Sequence, residues 1–259
     1  MDRHGFGKFA VLPVLAGLAL VVLMWVPASA ETWTFEDTYI GTGAPDRWSQ
    51  NGGDVVSADG EAAINEFDID SLTVEVDDSG WVEITLMTDF YPDVLGQGTD
   101  YGDLFISAEP YSEDTVYDPD TVTWEYVFDT DTGDIFSVSD GTLLYSDDTA
   151  DANNWSDNTY REDQLVGFEA DEDAQPVATG EFDDSEDGLL VYAFNLSDLG
   201  LSEDEGVDLA FRWSMTCAND VIQVGGISVA PVPEPATMML LGCGLLAGSA
   251  VGRKSFLSG

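Results

Sequence analysis

The charge carried between the two apolar ends of the chain most constrains what this sequence can fold into. Residues 31–233 hold 49 acidic side chains and three basic ones, Arg47, Arg161 and Arg212, which gives this body a formal charge of −46. Self-repulsion of that size opposes a compact state unless salt or bound cations screen it. It also argues against nucleic acid, phosphate ligands and anionic membranes as partners. Two interpretations stay open: a solvated surface adapted to salt, or carboxylates that bind Ca²⁺.

Short runs rich in β-branched and aromatic residues interrupt the acids and predict strands. The candidate strands are 32–35, 63–69, 71–76, 81–87, 103–107, 122–128, 135–138, 142–145, 164–168, 189–195, 207–215 and 221–229. Turn signals such as those at 131–133 and 186–188 separate them. Residues 31–230 are therefore predicted to form one all-β domain, an antiparallel two-sheet β-sandwich of jelly-roll type.

Local patterns add finer expectations to this fold. Residues 123–145 are predicted to form a meander of three antiparallel strands. Residues 196–203 are predicted to contain a short helical turn that begins at the N-cap Ser197. The alternation around Trp81, Trp124 and Trp213 places these three side chains in the core. Cys217 lies in an apolar stretch and is expected to be a small buried hydrophobe.

The first thirty residues have the three parts of a secretory signal peptide. Arg3 and Lys8 give a positive start, residues 9–26 are an apolar run, and residues 28–30 form an Ala-Ser-Ala cleavage site. Signal peptidase is therefore an expected partner, with the mature chain beginning at Glu31. The alternative is an uncleaved membrane anchor, because the apolar run approaches the length of a span.

The last 29 residues, 231–259, form a second three-part signal. A proline-stiffened segment comes first and contains Val232, Pro233, Glu234, Pro235, Ala236 and Thr237. Residues 238–252 are apolar or small, and Arg253 and Lys254 follow them. Fifteen helical residues extend roughly 22 Å, short of a hydrocarbon core of about 30 Å, so this segment is predicted to be a short, marginal transmembrane helix with its cations on the cytoplasmic side.

This order of motif, apolar helix and basic end resembles the PEP-CTERM sorting domain of Gram-negative bacteria. The resemblance implies that exosortase, a membrane protease-transferase, processes the chain near Pro233–Pro235 after transient anchoring in the inner membrane. It also implies export in strains that make exopolysaccharide. The basic end has two cations where an arginine-rich cluster is usual. The membrane is expected to contact the protein only through the terminal signals.

The residue types missing from residues 31–233 limit the classes of catalytic site that this part of the chain could form. The sole histidine, His4, lies in the signal peptide, and residues 31–233 contain no lysine. Ser-His-Asp and Cys-His catalytic systems would therefore lack their histidine base. Zinc sites built on His and Cys would lack ligands, and Schiff-base chemistry would lack its lysine amine. A glycosidase with two carboxylates is the enzyme class that this composition leaves. We expect the protein not to be an enzyme.

Two pairs of residues are candidate calcium ligands. Glu36 and Asp37 end the first strand, and Asn219 and Asp220 precede the last one. They resemble the structural calcium site of many jelly-roll carbohydrate-binding modules, in which acids of the first strand and a turn near the C-terminus share the ion. Such an ion would tie the two ends of the domain together. The alternative is that these residues are ordinary solvated turn acids.

Aromatic residues in acidic loop-like stretches are candidate sugar ligands, namely Tyr91, Tyr101, Tyr111, Tyr117, Trp155 and Tyr160, of which Tyr91, Tyr101 and Trp155 are the favoured three. They would stack on sugar rings if exposed, or cover the ends of the sandwich if packed. The sequence thus predicts an exported, non-enzymatic protein of the cell surface or extracellular matrix, with a structural or interaction role in an exopolysaccharide or biofilm. A calcium-stabilised carbohydrate-binding module is the alternative. Aromatics lining one groove would favour that alternative.

Overall fold

The computed structural model describes residues 30–37, 68–92, 99–109, 122–146, 164–202, 206–218 and 220–229. Within these ranges the strands are β1 (Glu31–Glu36), β2 (Ile69–Val76), β3 (Trp81–Thr88), β4 (Leu104–Ser107), β5 (Tyr126–Phe128), β6 (Asp134–Ser137), β7 (Gly141–Tyr145), β8 (Leu165–Ala170), β9 (Ala178–Thr179), β10 (Glu181–Glu186), β11 (Leu189–Asn195), β12 (Val207–Ser214) and β13 (Val221–Val229). Two 3₁₀ turns, Val138–Asp140 and Leu196–Leu199, connect strands. The predicted strand part 63–67 and the predicted sorting signal lie outside the described residues.

Two antiparallel sheets form a β-sandwich, which confirms the predicted fold class. The five-stranded sheet has the order β1-β2-β3-β11-β10, and the six-stranded sheet has the order β13-β12-β4-β5-β6-β9. Both sheets mix early and late strands, so the two ends of the domain are held by long-range pairing. In the described part of the chain, no helix is long and apolar enough to cross a membrane.

The core lies between the two sheets because alternate residues of each strand face inward. In β2, Leu72, Val74 and Val76 are buried while their neighbours are partly or fully exposed. Phe211 and Trp213 of β12 enter the same core from the opposite sheet. Burial of one such side chain contributes about 1.5–3 kcal/mol, and the interleaved acids stay on the solvent side. This alternation allows a chain of such high charge to fold.

A third layer covers the outer face of the six-stranded sheet. Strands β7 and β8 pair with each other, and Leu165 and Phe168 of β8 pack on Phe105 and Phe136 of the larger sheet. All four residues of β4 are therefore buried, and β12 is almost entirely buried. Both strands lose the alternation of exposed and buried residues because both of their faces are covered.

Three finer predictions are corrected by the structure. The meander at 123–145 has only two paired strands, β5 and β6, because the 3₁₀ turn redirects the chain and β7 pairs with β8 instead. The cap of the later 3₁₀ turn is Asn195, whose side chain accepts a hydrogen bond from the Ser197 amide. Trp81 is only partly buried, because its side chain faces away from the inner core, whereas Trp124, Trp213 and Cys217 are buried. Strand β10 was not predicted.

Candidate ligand-binding cleft

A cleft of about 480 Å³ opens at the end of the five-stranded sheet where β3 finishes and β11 begins. Three segments form it: the residues after β3, the residue Tyr101 ahead of β4, and the end of β10 with its turn into β11. The residues lining the cleft are Asp89, Phe90, Tyr91, Tyr101, Asp184, Glu186, Asp187 and Gly188. Two of the six candidate sugar-binding aromatics, Tyr91 and Tyr101, therefore line the same cavity, and the other four lie outside the described residues.

The wall that carries Tyr91 is fixed by the last residue of β3. The Thr88 hydroxyl donates to the Asp68 carbonyl oxygen at 2.6 Å and accepts from the Phe90 amide at 3.0 Å. The Asp89 amide also donates to the Asp68 carbonyl oxygen, at 2.9 Å. These bonds stop the strand and turn the chain outward. Phe90 is consequently buried, while Tyr91 keeps 59% of its surface exposed.

The opposite wall is the tight turn between β10 and β11. Gly188 has a φ of +77°, a conformation that side-chain-bearing residues rarely adopt. Its carbonyl oxygen accepts from the Thr88 amide at 3.0 Å, which ties the turn to the end of β3. The β10–β11 register slips between Asp183 and Glu186. The acids of this turn are thus held by backbone bonds at one rim of the cleft.

Tyr101 forms part of the cleft wall and is anchored by aromatic neighbours. Its ring lies 5.7 Å from Phe90, 6.2 Å from Phe182 and 6.4 Å from Trp213, measured between ring centroids. The contacts with Phe90 and Phe182 are edge-to-face, which is a favourable geometry for aromatic pairs. The backbone of Tyr101 also bridges to Met215. Tyr91 is therefore an exposed aromatic surface, and Tyr101 a partly buried one.

The cleft is negative, and none of the described residues that line it is cationic. Burial raises the pKa of the Tyr101 hydroxyl, and the nearby charges of Asp184 and Asp187 raise it further. Tyr101 therefore keeps its proton at all physiological pH values and can donate a hydrogen bond. The four carboxylates of the lining, once ionised, can only accept hydrogen bonds.

The predicted calcium residues are partly brought together. The Asp37 amide donates to the Asp70 carbonyl oxygen at 3.0 Å, and the buried Asp220 carboxylate accepts from the Ile69 amide at 2.9 Å. Asp37 and Asp220 therefore both contact the start of β2, although Glu36 is exposed. Asn219 lies outside the described residues. Within the part of the chain that the structure describes, no group of three or more Asp, Glu, His or Cys side chains could hold a metal ion.

A polar network, not predicted from the sequence, connects Asp103 through Thr130 to the core side chains Tyr192 and Trp213. The Asp103 carboxylate accepts from the Thr130 amide at 3.0 Å and from the Phe168 amide at 2.8 Å. The Thr130 hydroxyl donates to the Gly102 carbonyl oxygen and lies 3.4 Å from the Tyr192 hydroxyl, which accepts from the Trp213 indole at 2.8 Å. Burial raises the pKa of Asp103 to about 7, with a further contribution from Asp129. This network joins β4, β8, β11 and β12.

Arg212 is fully buried on the outer side of β12. Its guanidinium donates to the Leu165 carbonyl oxygen and to the side-chain oxygens of Gln164 and Gln223, at 2.8–3.2 Å. The arginine thus serves the packing of the third layer, since its donors are directed inward. Arg47 and Arg161, together with Trp155 and the sorting residues Val232–Thr237, Arg253 and Lys254, lie outside the described residues.

Comparison with known proteins identifies the C-terminal signal. Residues 231–255 match the family model described as the PEP-CTERM protein-sorting motif. Neither the curated proteins nor the solved structures gave a match to the chain. The motif makes this an exported surface protein that exosortase processes.

Proposed function

We propose that the protein is a non-enzymatic component of the extracellular polysaccharide matrix, and that it contacts the polysaccharide through the tyrosine-lined cleft. The observation that carries this proposal is the placement of Tyr91 and Tyr101 in one cavity together with carboxylate acceptors. The sorting motif supports the location, because it directs the chain out of the cytoplasm. The cleft favours a binding role over a purely structural one.

The chemistry of the cleft suits a sugar ring. One face of a pyranose is apolar and packs on a flat aromatic ring, and its hydroxyl groups donate to carboxylates. Tyr91 offers an exposed ring, and Asp89, two residues before it, lines the same cleft. The volume of about 480 Å³ falls in the range of about 300–1,000 Å³ that is common for small-ligand sites. Because the cleft is open, a polysaccharide would place only a short stretch of its sugars in it.

Binding without catalysis is proposed because the body lacks histidine and lysine. A retaining or inverting glycosidase would need one protonated and one ionised carboxyl group placed about 5–10 Å apart on either side of a sugar bond. In the cleft, Asp89 lies on the wall after β3, Asp184, Glu186 and Asp187 lie on the facing wall, and no basic residue is among the described residues that line it. Release of reducing sugar ends from a bound polysaccharide is the result that would contradict this part of the proposal.

Structural calcium belongs to the same proposal as a stabilising ion. Asp37 and Asp220 contact adjacent residues of β2, so an ion shared by them would join β1, β2 and the start of β13. Carboxylate oxygens are the ligands that Ca²⁺ prefers.

The binding test uses the full chain and polysaccharide extracted from the matrix of the producing cells. In affinity electrophoresis, Tyr91→Ala is expected to weaken retention at least tenfold, because loss of a central aromatic contact costs about 1.4 kcal/mol or more. Tyr145→Ala is the matched control, since Tyr145 is 41% exposed and lies on β7, away from the cleft. Equal retention of Tyr91→Ala and the unmodified chain would refute the cleft as the binding site.

A further inference from the structure

We infer that the cleft selects polysaccharides that carry protonated amino groups, that is, chains of partly or fully deacetylated amino sugars. This inference rests on the proposed function and names the class of ligand. Four of the eight lining residues are acidic, namely Asp89, Asp184, Glu186 and Asp187. The same cavity holds the exposed ring of Tyr91, so that stacking and charge recognition meet in one place.

The acids converge because of the way the strands end. Asp89 follows β3, and Glu186 and Asp187 finish β10 and form the turn into β11. The hydrogen bond from the Thr88 amide to the Gly188 carbonyl oxygen holds these two segments against each other. Carboxylates from separate strands are thereby kept in one cavity despite their mutual repulsion. A cation between them relieves that repulsion, which a neutral ligand does not.

Ligand charge then decides which polysaccharides enter. Uronic acids and sulfated sugars are repelled, because the lining residues that the structure describes include four acids and no cation to pair with them. Neutral sugars gain only stacking and hydroxyl hydrogen bonds. An ammonium group gains charge-assisted hydrogen bonds from the carboxylates and an attraction to the face of Tyr91. The concave wall concentrates this field inside the cleft.

The total charge of the body would also attract a cationic polymer, so the local effect needs a matched control. Glu186 and Asp187 form an exposed Glu-Asp pair in the cleft, and Glu172 and Asp173 form an exposed Glu-Asp pair that does not line it. E186Q/D187N and E172Q/D173N remove the same charge from the protein. Only the first pair changes the cleft.

The experiment measures binding of two β-linked hexamers to the full chain by calorimetry at pH 6 and physiological ionic strength. The hexamer of glucosamine carries amines, and the hexamer of N-acetylglucosamine has the same backbone without charge. We expect the glucosamine hexamer to bind at least tenfold more tightly. E186Q/D187N is expected to abolish this preference, and E172Q/D173N is expected to preserve it.

Two results would overturn the inference. Equal affinity for the two hexamers, including no binding of either, would show that amines are not selected. Equal loss of preference in both double variants would assign the preference to total charge. The proposed function is tested separately, by whether Tyr91→Ala weakens retention of the matrix polysaccharide. If retention of the matrix polysaccharide needs Tyr91 but the two hexamers bind equally, the cleft remains the binding site and only the preference for amino sugars is refuted.

Discussion

Replacing Asp103 by asparagine is expected to flatten the dependence of folding stability on pH. The Asp103 carboxylate accepts from two backbone amides, of Thr130 and Phe168, and burial raises its pKa from 3.8 to about 7. The folded protein therefore keeps this proton at pH values where the unfolded chain has already released it. The stabilisation from the proton is complete below pH 4 and is lost as the pH rises through 7.

The size of the effect follows from the shift in pKa. Each pKa unit corresponds to 1.36 kcal/mol, so the two units between pH 5 and pH 7 remove about 3 kcal/mol of unfolding free energy. Asparagine does not titrate. The stability of Asp103→Asn relative to the unmodified protein is thus expected to rise by about 3 kcal/mol between pH 5 and pH 8. A constant offset from the lost amide acceptor does not change this slope.

Urea unfolding followed by tryptophan fluorescence at several pH values measures this difference. Below pH 5 most surface carboxyl groups begin to titrate, so the comparison begins there. Asp173→Asn serves as the control for loss of one charge, since Asp173 is exposed in a turn. Parallel stability curves for the unmodified protein and Asp103→Asn would refute the reasoning. They would mean that the two amide bonds keep the carboxylate ionised in spite of burial.

Three further predictions concern metal, packing and sorting. Millimolar Ca²⁺ is expected to raise the unfolding temperature of the full chain above that in Mg²⁺ or NaCl of equal ionic strength. Asp37→Asn is expected to remove this difference. Equal rises in all salts would mean that the salts act only by screening the carboxylates, without a specific calcium site. Gly102→Ala is expected to cost about 3 kcal/mol or more in urea unfolding, because a Cβ there would lie 2.2 Å from the Ser214 carbonyl oxygen and 2.5 Å from that of Val166. Gly200→Ala, with a φ of +74° and no atom within 4 Å, is expected to cost only about 1 kcal/mol, and equal costs would contradict this packing. Replacing Pro233 and Pro235 by alanine is expected to block exosortase processing, so that immunoblots detect an unprocessed chain; normal processing would show that the motif at 231–255 is not the signal that is read.

Strands with strong alternation could be predicted from the sequence, whereas an acidic edge strand could not. The run at 81–87 became β3 because its buried apolar residues recur every second position. The run at 189–195 became β11 as a continuous apolar and aromatic stretch. Strand β10 has the sequence Glu-Phe-Asp-Asp-Ser-Glu and resembles a loop. It forms because Phe182 pairs opposite Tyr192 and packs against the core. Such a tertiary contact overrides local propensity.

The candidate cleft was predictable only in part, because its residues are far apart in the chain. Tyr91 and Tyr101 were identified singly, as aromatics in acidic stretches. The antiparallel pairing of β3 with β11 brings residues 184–188 next to residues 89–91, and the contacts of Tyr101 with Phe90 and Phe182 place its ring at the same cleft. The Asp-Gly turn at 187–188 was recognised as a turn, but its place opposite Tyr91 follows from sheet order. Sheet order is set by long-range packing and leaves no local mark in the sequence.

The burial of Arg212 has a consequence for how neighbouring copies of this protein interact when they lie close together on one surface. Arg212 is the one cationic side chain among the described residues, and its burial leaves the described surface with a single sign of charge. Neighbouring copies therefore repel over a distance set by the Debye length, about 30 Å at 0.01 M salt and about 8 Å at 0.15 M. A dense layer of these domains is therefore expected to take up water and expand at low salt. It is expected to contract when salt or divalent ions screen the charge.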